Sequence, residues 1–459
     1  MWNLLLLLAT FFSSTNAATK DQWRSRTIYQ LLTDRFSRGN GDNSPCPDLG
    51  NYCGGTFNGI TQNLDYIQNM GFDAIWISPI PVNYPGAYHG YAAIDLYGVN
   101  PNFGTEQDLL NLVNACHSRG MYVMLDVVAN HVGPVTPNYT QINPFNNEKY
   151  YHPYCEISNW NNQTNVEYCW LGTLPDLAQE NPFVRQTLKN WIHWIVNKYG
   201  FDGLRVDTAI EVPMDFWAEF SMSSGVYTVG ETFNGDPNYC ATYQGCLDGI
   251  LNYPLFFMMR SVFQQGQPMW DCRTFMQSCS VFPDQTILGS FVDNHDNPRF
   301  LNGTSNLNAF KSALAWSVTT LGIPIIYYGD EQGFSGGPDP YCREVIWPYL
   351  NQTTSEMYTF VTQIVNYRKQ MQLWNYPWIE RYAQSNFYCF SRGLATMAFT
   401  NSPNNVQYSV TYNPYTNGQV VCNIFWQNDC VTITNGALNV VLLNGEVKLY
   451  MPKSMMVSE

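Results

Sequence analysis

Short, almost continuously apolar runs alternate with helical stretches between residues 27 and 380. Apolar runs without polar alternation are typical of strands that are covered on both faces, as in a parallel sheet. The stretches between them, such as residues 106–120 and 181–200, repeat apolar residues at helical spacing and predict amphipathic helices. The predicted strands are TIYQLL (27–32), AIWISP (74–79), MYVMLDVV (121–128), GLRVD (203–207), YTVGE (227–231), GILN (249–252), ILGSFVDN (287–294) and PIIYYG (324–329).

Eight strand–helix repeats predict an α/β fold, a (β/α)8 TIM barrel. Two regions depart from the repeat. Residues 129–176 are rich in Asn, Pro, Tyr and Cys and lack a long helical period, which predicts an inserted irregular domain after the third strand. Residues 383–459 contain short alternating segments, which predict a C-terminal antiparallel β-sandwich domain. The barrel would then consist of residues 18–128 and 177–382.

The first 17 residues, MWNLLLLLATFFSSTNA, place an apolar run before small and polar residues. This layout predicts a secretory signal peptide. The alternative, a membrane anchor, is disfavoured because the apolar run is too short to span a bilayer comfortably. We therefore expect a secreted, extracellular protein, and association with a cell wall stays open.

Charge and cysteine content narrow the possible partners. The net charge is −14 and the isoelectric point about 4.8, which argues against binding to nucleic acid or acidic membranes. Thirteen cysteines, several closely spaced, suit an oxidising compartment, and their odd number leaves at least one outside intramolecular disulfides. We expect a monomer without a membrane span. N-glycosylation sequons begin at Asn138, Asn162, Asn302 and Asn351.

Polar side chains collect at the carboxyl ends of the predicted strands, where active sites of such barrels form. A single Asp at a strand end is more often a helix cap or an ion-pair partner than a catalytic group. Here four strands deliver carboxylates to one rim, which favours an active site. The residues are Asp126 with Asn130 and His131, Arg205 with Asp207, Glu231, and the run from Asp293 to Asp296.

Four segments carry a family resemblance: DVVANH (126–131), GLRVDT (203–208), GETFNGDP (230–237) and FVDNHDNPRF (291–300). They resemble the four signature segments of α-amylases, glycoside hydrolase family thirteen. The similarity to fungal α-amylases extends over nearly the whole mature chain and weakens in the C-terminal domain. Further matching segments are YQLLTDRF (29–36), YCGGTFNGI (52–60), YHGY (88–91) and GIPIIYYGDEQ (322–332).

The resemblance implies an enzyme that hydrolyses internal α-1,4-glucosidic bonds of starch-like glucans with retention of configuration. It makes Asp207 the nucleophile, Glu231 the general acid/base and Asp296 a third carboxylate that holds the sugar ring. The implied substrate is an α-glucan or maltooligosaccharide. Each histidine of the implied binding set has a plain alternative as a buried structural residue. That set is His89, Tyr91, His131, Arg205, His295, Asp339 and Arg343.

The resemblance also implies Ca2+, held by side chains of Asn130, Glu167 and Asp176 and by the main-chain carbonyl of Glu211. Oxygen ligands alone are what calcium requires. Without the resemblance, Glu167 and Asp176 would be interpreted as a surface charge and a turn residue. The predicted disulfides are Cys46–Cys53, Cys155–Cys169, Cys240–Cys279 and Cys422–Cys430; Cys246 and Cys272 form a further candidate pair.

Four positions near the predicted cleft depart from the family pattern. Ile210 and Glu211 stand where fungal α-amylases usually have a Lys-His pair that contacts the leaving-group sugar. Ala92 replaces a tryptophan after YHGY, and Cys342 replaces an asparagine. The catalytic carboxylates are unchanged.

Three functions therefore stay open. The first is an endo-acting hydrolase. The second is an α-glucanotransferase that remodels cell-wall or spore-wall α-glucan, since the acceptor side of the cleft is altered. The third is a non-catalytic glucan-binding wall protein, which the presence of all three carboxylates disfavours.

Overall fold

The computed structural model describes residues 18–426 and 428–456. The predicted signal peptide, residues 1–17, lies outside this part of the chain. Within it, no helix combines the length and the apolar character that crossing a membrane requires.

Eight parallel strands form the main sheet, in the spatial order β8-β7-β6-β5-β2-β1-β10-β9. Each lies at the position of one predicted strand. The sheet closes because Leu251, just after β8, pairs in parallel with Gly289 of β9. The TIM-barrel prediction is confirmed. The strands up to this point are β1 (Ile28–Gln30), β2 (Ala74–Ile77), β3 (Pro81–Asn83), β4 (Ala93–Val99), β5 (Tyr122–Val127), β6 (Gly203–Val206), β7 (Tyr227–Gly230), β8 (Gly249–Ile250), β9 (Gly289–Ser290) and β10 (Ile323–Tyr327).

Helices surround the barrel. The longest helix has the residues that typically begin and end a helix. Asn181 caps its first turn, Pro182 occupies its first position, and Gly200 ends it with a left-handed backbone, φ 77°. The helices are α1 (Lys20–Trp23), α2 (Thr33–Phe36), α3 (Phe57–Gln62), α4 (Leu64–Asn69), α5 (Glu106–Ser118), α6 (Gln163–Tyr168), α7 (Pro182–Tyr199), α8 (Met214–Ser224), α9 (Pro237–Tyr243), α10 (Tyr253–Met259), α11 (Asp271–Ser278), α12 (Phe300–Gly303), α13 (Leu307–Thr319) and α14 (Glu356–Gln370).

Two excursions rise above the carboxyl ends of the barrel strands. The first is the β3–β4 hairpin after β2, which the sequence pattern did not predict. The second is the segment between β5 and α7, which contains α6 and the disulfide Cys155–Cys169. Both excursions lie on the side of the barrel where the predicted catalytic residues emerge.

The C-terminal part forms two antiparallel sheets. Six strands pair in the order β11-β12-β13-β18-β15-β16, and β14 pairs with β17. Apolar side chains of both sheets, among them Phe387, Val421 and Leu438, pack into one core. The predicted C-terminal antiparallel domain is confirmed, and the predicted boundary at residues 382/383 falls inside its first strand. The strands are β11 (Trp378–Gln384), β12 (Phe387–Arg392), β13 (Ala395–Phe399), β14 (Val406–Val410), β15 (Val420–Asn423), β16 (Cys430–Thr432), β17 (Leu438–Leu442) and β18 (Lys448–Pro452).

Three of the four predicted disulfides are formed: Cys46–Cys53, Cys155–Cys169 and Cys422–Cys430. The predicted pair Cys240–Cys279 is wrong, because both residues carry free, buried thiols. The Sγ of Cys240 donates to the carbonyl oxygen of Asn234 at 3.3 Å, so its hydrogen serves a main-chain acceptor. The remaining free thiols are those of Cys116, Cys246, Cys272, Cys342 and Cys389.

Candidate active site

One buried guanidinium group joins three carboxylates at the ends of three neighbouring strands. Arg205 on β6 donates through Nη1 to Asp126 Oδ1 at 2.9 Å and to Asp207 Oδ1 at 2.6 Å. Its Nη2 lies 2.8 Å from Glu231 Oε2. The parallel register of β5 and β6 pairs Asp126 with Arg205, which brings these groups together. Arg205 was predicted to bind substrate; the structure places it beneath the carboxylates, with 1% of its side chain exposed.

Burial and Arg205 act in opposite directions on these acids. Burial is the larger influence on Asp207 and raises its pKa, whereas the guanidinium favours the carboxylate. Burial likewise raises the pKa of Asp126 to about 6, and Arg205 opposes the shift. The site therefore concentrates negative charge in a desolvated place and balances it with one fixed cation.

Two donors besides Arg205 orient the carboxyl group of Glu231. The amide of Thr208 donates to Oε2 at 3.1 Å, and the hydroxyl of Tyr253 donates to Oε1 at 3.2 Å. Tyr253 is held in turn by the side-chain amide of Asn294 at 2.9 Å. Thr208 has a left-handed backbone, φ 45°, which is unfavourable for a β-branched residue and is found at functional turns. This turn aims its amide back at the neighbouring strand end.

A chain of hydrogen bonds leads from β1 to Asp126. The side-chain amide of Gln30 contacts His295 Nδ1 at 2.9 Å, and His295 Nε2 lies 2.7 Å from the hydroxyl of Tyr91. Tyr91 donates to Asp126 Oδ2 at 2.6 Å, and the indole of Trp76 donates to the same oxygen at 3.1 Å. The rings of Tyr91 and His295 are parallel, with centroids 5.3 Å apart. Tyr91 is thereby fixed as a flat wall of the site.

The three predicted site histidines share one electrostatic property. Burial lowers the pKa of His89 to about 3 and that of His131 to about 4. Burial, with the positive charge of Arg343 second, also lowers the pKa of His295 well below its usual value. All three are therefore neutral near pH 7 and offer one donor and one acceptor each.

Asp296 lies beside Arg343, whose Nη2 is 3.5 Å from Asp296 Oδ1. Arg343 also lies 3.1 Å from Asp339 Oδ1 and donates to the carbonyl oxygen of His295 at 2.9 Å. Arg343 also donates to the hydroxyl of Tyr88 at 3.1 Å. Tyr88 was not among the predicted site residues. These contacts fix Asp296 at the edge of the same site.

The predicted catalytic and binding residues line one open cleft of about 700 Å3, with Arg205 beneath it. Trp160, Leu171, Leu174 and Phe233 give part of the cleft aromatic and apolar walls. The sequence did not predict these walls, because isolated apolar residues in loops follow no periodic pattern. Of the departures from the family, Ile210 and Glu211 line the cleft, whereas Ala92 is buried in the β3–β4 hairpin. The lining residues are His89, Tyr91, His131, Trp160, Leu171, Leu174, Asp207, Thr208, Ile210, Glu211, Glu231, Phe233, Asn234, Tyr239, His295, Asp296, Asp339 and Arg343.

Three of the predicted calcium ligands converge behind His131. The side-chain amide of Asn130 lies 2.8 Å from Asp176 Oδ1 and 3.2 Å from the main-chain oxygen of Glu211. If the side-chain oxygen of Asn130 faces Asp176 and Glu211, three oxygens surround one point. If the side-chain NH2 group faces them instead, it donates to the other two oxygens. Glu167 stands apart from this contact and accepts from Gln163 at 2.8 Å. Clusters of three His, Cys, Asp or Glu side chains suited to a metal do not occur in residues 18–426 and 428–456.

The four sequon residues Asn138, Asn162, Asn302 and Asn351 are exposed, as attachment of a glycan requires.

Comparison with known proteins gives the family. Residues 30–370 match the family described as alpha amylase, catalytic domain. Alpha-amylase 1 of Lipomyces kononenkoae is 43% identical over 382 residues, which cover 79% of this chain and 61% of that protein. Alpha-amylase 2 of Schwanniomyces occidentalis is 39% identical over 461 residues, 94% of this chain and 91% of the relative.

A solved structure supports the same assignment. The α-amylase of Malbranchea cinnamomea superimposes with a TM-score of 0.92 at 38% identity, covering 95% of this chain and 98% of that one. The agreement in sequence and fold leads to one conclusion. The chain belongs to the α-amylase family of glycoside hydrolases.

Proposed function

We propose that this protein hydrolyses internal α-1,4-glucosidic bonds of starch-like glucans by a retaining double displacement. The observation that carries this proposal is the contact of one guanidinium, that of Arg205, with both Asp207 and Glu231. Two carboxyl groups tied to one guanidinium suit the short separation of about 5–5.5 Å in retaining enzymes, where no water fits between acid and nucleophile.

In the first step Asp207 attacks the anomeric carbon, and Glu231 gives its proton to the departing glycosidic oxygen. Arg205 favours the ionised form of Asp207, the form that attacks, and so opposes the rise in pKa that burial causes. In the second step Glu231 takes a proton from water, which attacks the glycosyl-enzyme and restores the original configuration. Asp296, positioned by Arg343, stabilises the positive charge that develops on the sugar ring.

The residues around Asp207 would hold the glucose unit that becomes attached to the enzyme. Tyr91 offers a flat face for that ring. His89 accepts from the amide of Tyr91 through Nδ1, so its Nε2 is left to donate to a sugar hydroxyl. His131 and His295 already bond Tyr91 and Gln30 through their ring nitrogens and would contact the sugar beside those bonds. Asp339 and Arg343 close this end of the cleft and would bind the next unit.

Calcium is part of the proposal. Asn130, Asp176 and the main-chain oxygen of Glu211 fit a cation, because three oxygens face one point. The ion would supply a structural link between the inserted segment and the loop after Asp207. Glu167 would join the set through a change of its present contact with Gln163.

We further propose a secreted, monomeric enzyme that carries glycans at its exposed sequons. The three disulfides support an extracellular setting, because disulfides form and persist in oxidising compartments.

Products formed from maltoheptaose test the proposed function. Shorter sugars alone are expected. The appearance of longer sugars would favour the α-glucanotransferase, and unchanged substrate would favour the non-catalytic glucan-binding protein. The variant Glu231→Gln should lose turnover about a hundredfold to ten-thousandfold while the far-ultraviolet circular dichroism stays the same. Glu156→Gln, an exposed residue of the inserted segment, is the control.

A further inference from the structure

The two carboxyl oxygens of Glu231 have different surroundings. Oε2 lies 2.8 Å from Arg205 Nη2 and accepts from the amide of Thr208 at 3.1 Å. Both partners can only donate, so the two acceptor positions of Oε2 are filled. Oε1 accepts from the hydroxyl of Tyr253 at 3.2 Å. A proton on this carboxyl group therefore belongs on Oε1, beside the hydrogen bond from Tyr253.

The direction of the hydrogen bond from Tyr253 is set by Asn294. Oδ1 of Asn294 accepts from the main-chain amides of Asp296 and Asn297, each at 3.1 Å. Because main-chain amides only donate, the side-chain NH2 group of Asn294 must face the other way, where it donates to the hydroxyl of Tyr253 at 2.9 Å. The hydroxyl oxygen is then an acceptor, and its hydrogen is left to donate to Glu231.

Tyr253 and Asn294 are both withdrawn from water. They are 0% and 3% exposed, so bulk water does not compete for their hydrogen bonds. Burial, with the charge of Glu231 second, raises the pKa of Tyr253 well above its usual value, and the hydroxyl keeps its hydrogen. The ring packs against Phe233 and Phe291, with centroids 4.6 Å and 5.1 Å away. The hydroxyl is therefore a permanent donor in a fixed place.

We propose that Tyr253 and Asn294 are positioning residues that hold the transferable proton of Glu231 on Oε1. As the glycosidic bond breaks, this proton leaves Oε1 and bonds to the departing oxygen, and Glu231 becomes a carboxylate. The hydrogen bond from Tyr253 strengthens as that charge develops, which lowers the barrier of the acid-assisted step. Because Asn294 also binds the amide of Asp296, the pair links the general acid to the third carboxylate. The role of the pair rests on the proposed function, in which Glu231 is the general acid.

Two substrates that differ in their need for a proton isolate this role. The sugar that leaves maltoheptaose needs the proton of Glu231, whereas the fluoride of α-maltotriosyl fluoride departs with little help from an acid. In Tyr253→Phe, kcat/KM for maltoheptaose should fall about tenfold further than kcat/KM for the fluoride. Asn294→Asp keeps the shape of the side chain, but its carboxylate would take the hydrogen of Tyr253 away from Glu231. It should therefore show the same selective loss.

Tyr227→Phe is the matched control for loss of a buried hydroxyl, because Tyr227 on β7 donates to the main-chain oxygen of Ile287 at 2.6 Å. Its ratio of the two kcat/KM values should equal that of the wild type.

A wild-type ratio in Tyr253→Phe would overturn the inference, whether both activities fell together or neither changed, because the hydroxyl would then serve only the fold. A wild-type ratio in Asn294→Asp would overturn the assigned direction of the hydrogen bond. If the wild type turned over neither substrate, the proposed function itself would fail. Turnover of both substrates with unchanged ratios in the variants would refute the role of the pair alone.

Discussion

At the scale of single residues, Arg205 has the greatest influence on the site. One buried cation contacts Asp126, Asp207 and Glu231, whose side chains are largely withdrawn from water. Arg205→Met would leave these acids without a partner. We expect the free energy of unfolding to fall by about 3–5 kcal/mol, because breaking a buried ion pair leaves uncompensated charge. Urea unfolding followed by tryptophan fluorescence measures the change.

Arg273→Met is the control for this prediction, since Arg273 forms its ion pair with Glu380 at the surface. Its effect should stay below about 1 kcal/mol. An equal effect of the two substitutions would show that burial of the Arg205 network contributes nothing to stability.

Some features of the site could be predicted from single residues of the sequence, and others could not. The three carboxylates and the histidines follow recognisable segments, so their positions were predictable. The placement of Arg205 beneath them depends on strand register, and the free thiols of Cys240 and Cys279 depend on local side-chain direction. Phe233 and Trp160 are single aromatic residues in loops, and only the folded chain shows that they face one cleft.

At the scale of elements, His117 joins the last turn of α5 to the start of β6. Its Nε2 lies 2.9 Å from Asp202 Oδ2, which also accepts from the amide of Val123. The hydrogen bond to Asp202 raises the pKa of His117. The protonated imidazole therefore stabilises the fold below the unfolded pKa, near 6.5, and this contribution disappears as pH rises through the folded value.

His117→Gln should accordingly lose stability relative to the wild type mainly at low pH. Urea midpoints between pH 5 and 8 should show a gap that narrows as pH rises. His193→Gln, on α7, controls for loss of a more exposed histidine. A gap that widened with pH would contradict the assigned ion pair.

The inserted segment supplies a second prediction at this scale. If calcium links Asn130 and Asp176 to the loop after Asp207, adding a chelator should lower the thermal midpoint of the wild type. Asp176→Asn weakens the site and should remove most of that sensitivity. Asp215→Asn, an exposed acid on α8, should leave it intact. A chelator without effect on the wild type would refute the calcium proposal.

The barrel strands were predictable because continuous apolar runs separated by amphipathic helices have few other solutions. The β3–β4 hairpin was not, since β3 has three residues and its pairing with β4 shifts register twice. This hairpin bears Tyr88, His89 and Tyr91 at its turn, so the segment that was least predictable as structure carries part of the cleft.

At the scale of the whole molecule, the barrel and the C-terminal sheets share an apolar core. Trp316 of α13 lies with its ring 5.0 Å from Phe390, 5.1 Å from Phe399 and 5.3 Å from Tyr388. Trp316→Ala should lower the free energy of unfolding by about 3–5 kcal/mol. Trp426→Ala, whose side chain is exposed, is the control and should change it by less than about 0.5 kcal/mol.

Because the core is shared, the destabilised Trp316→Ala should still unfold in one transition by calorimetry. Two separated transitions would show that the C-terminal sheets are stable by themselves and that Trp316 does not couple them to the barrel.

The configuration of the first product tests the central claim most directly. Asp207 as nucleophile, with Glu231 as acid and then base, requires two inversions at the anomeric carbon. Proton NMR of maltoheptaose within the first minutes of reaction should therefore show the α-anomer at the new reducing end, before mutarotation produces the β-anomer. Initial appearance of the β-anomer would contradict the double displacement and the role of Asp207.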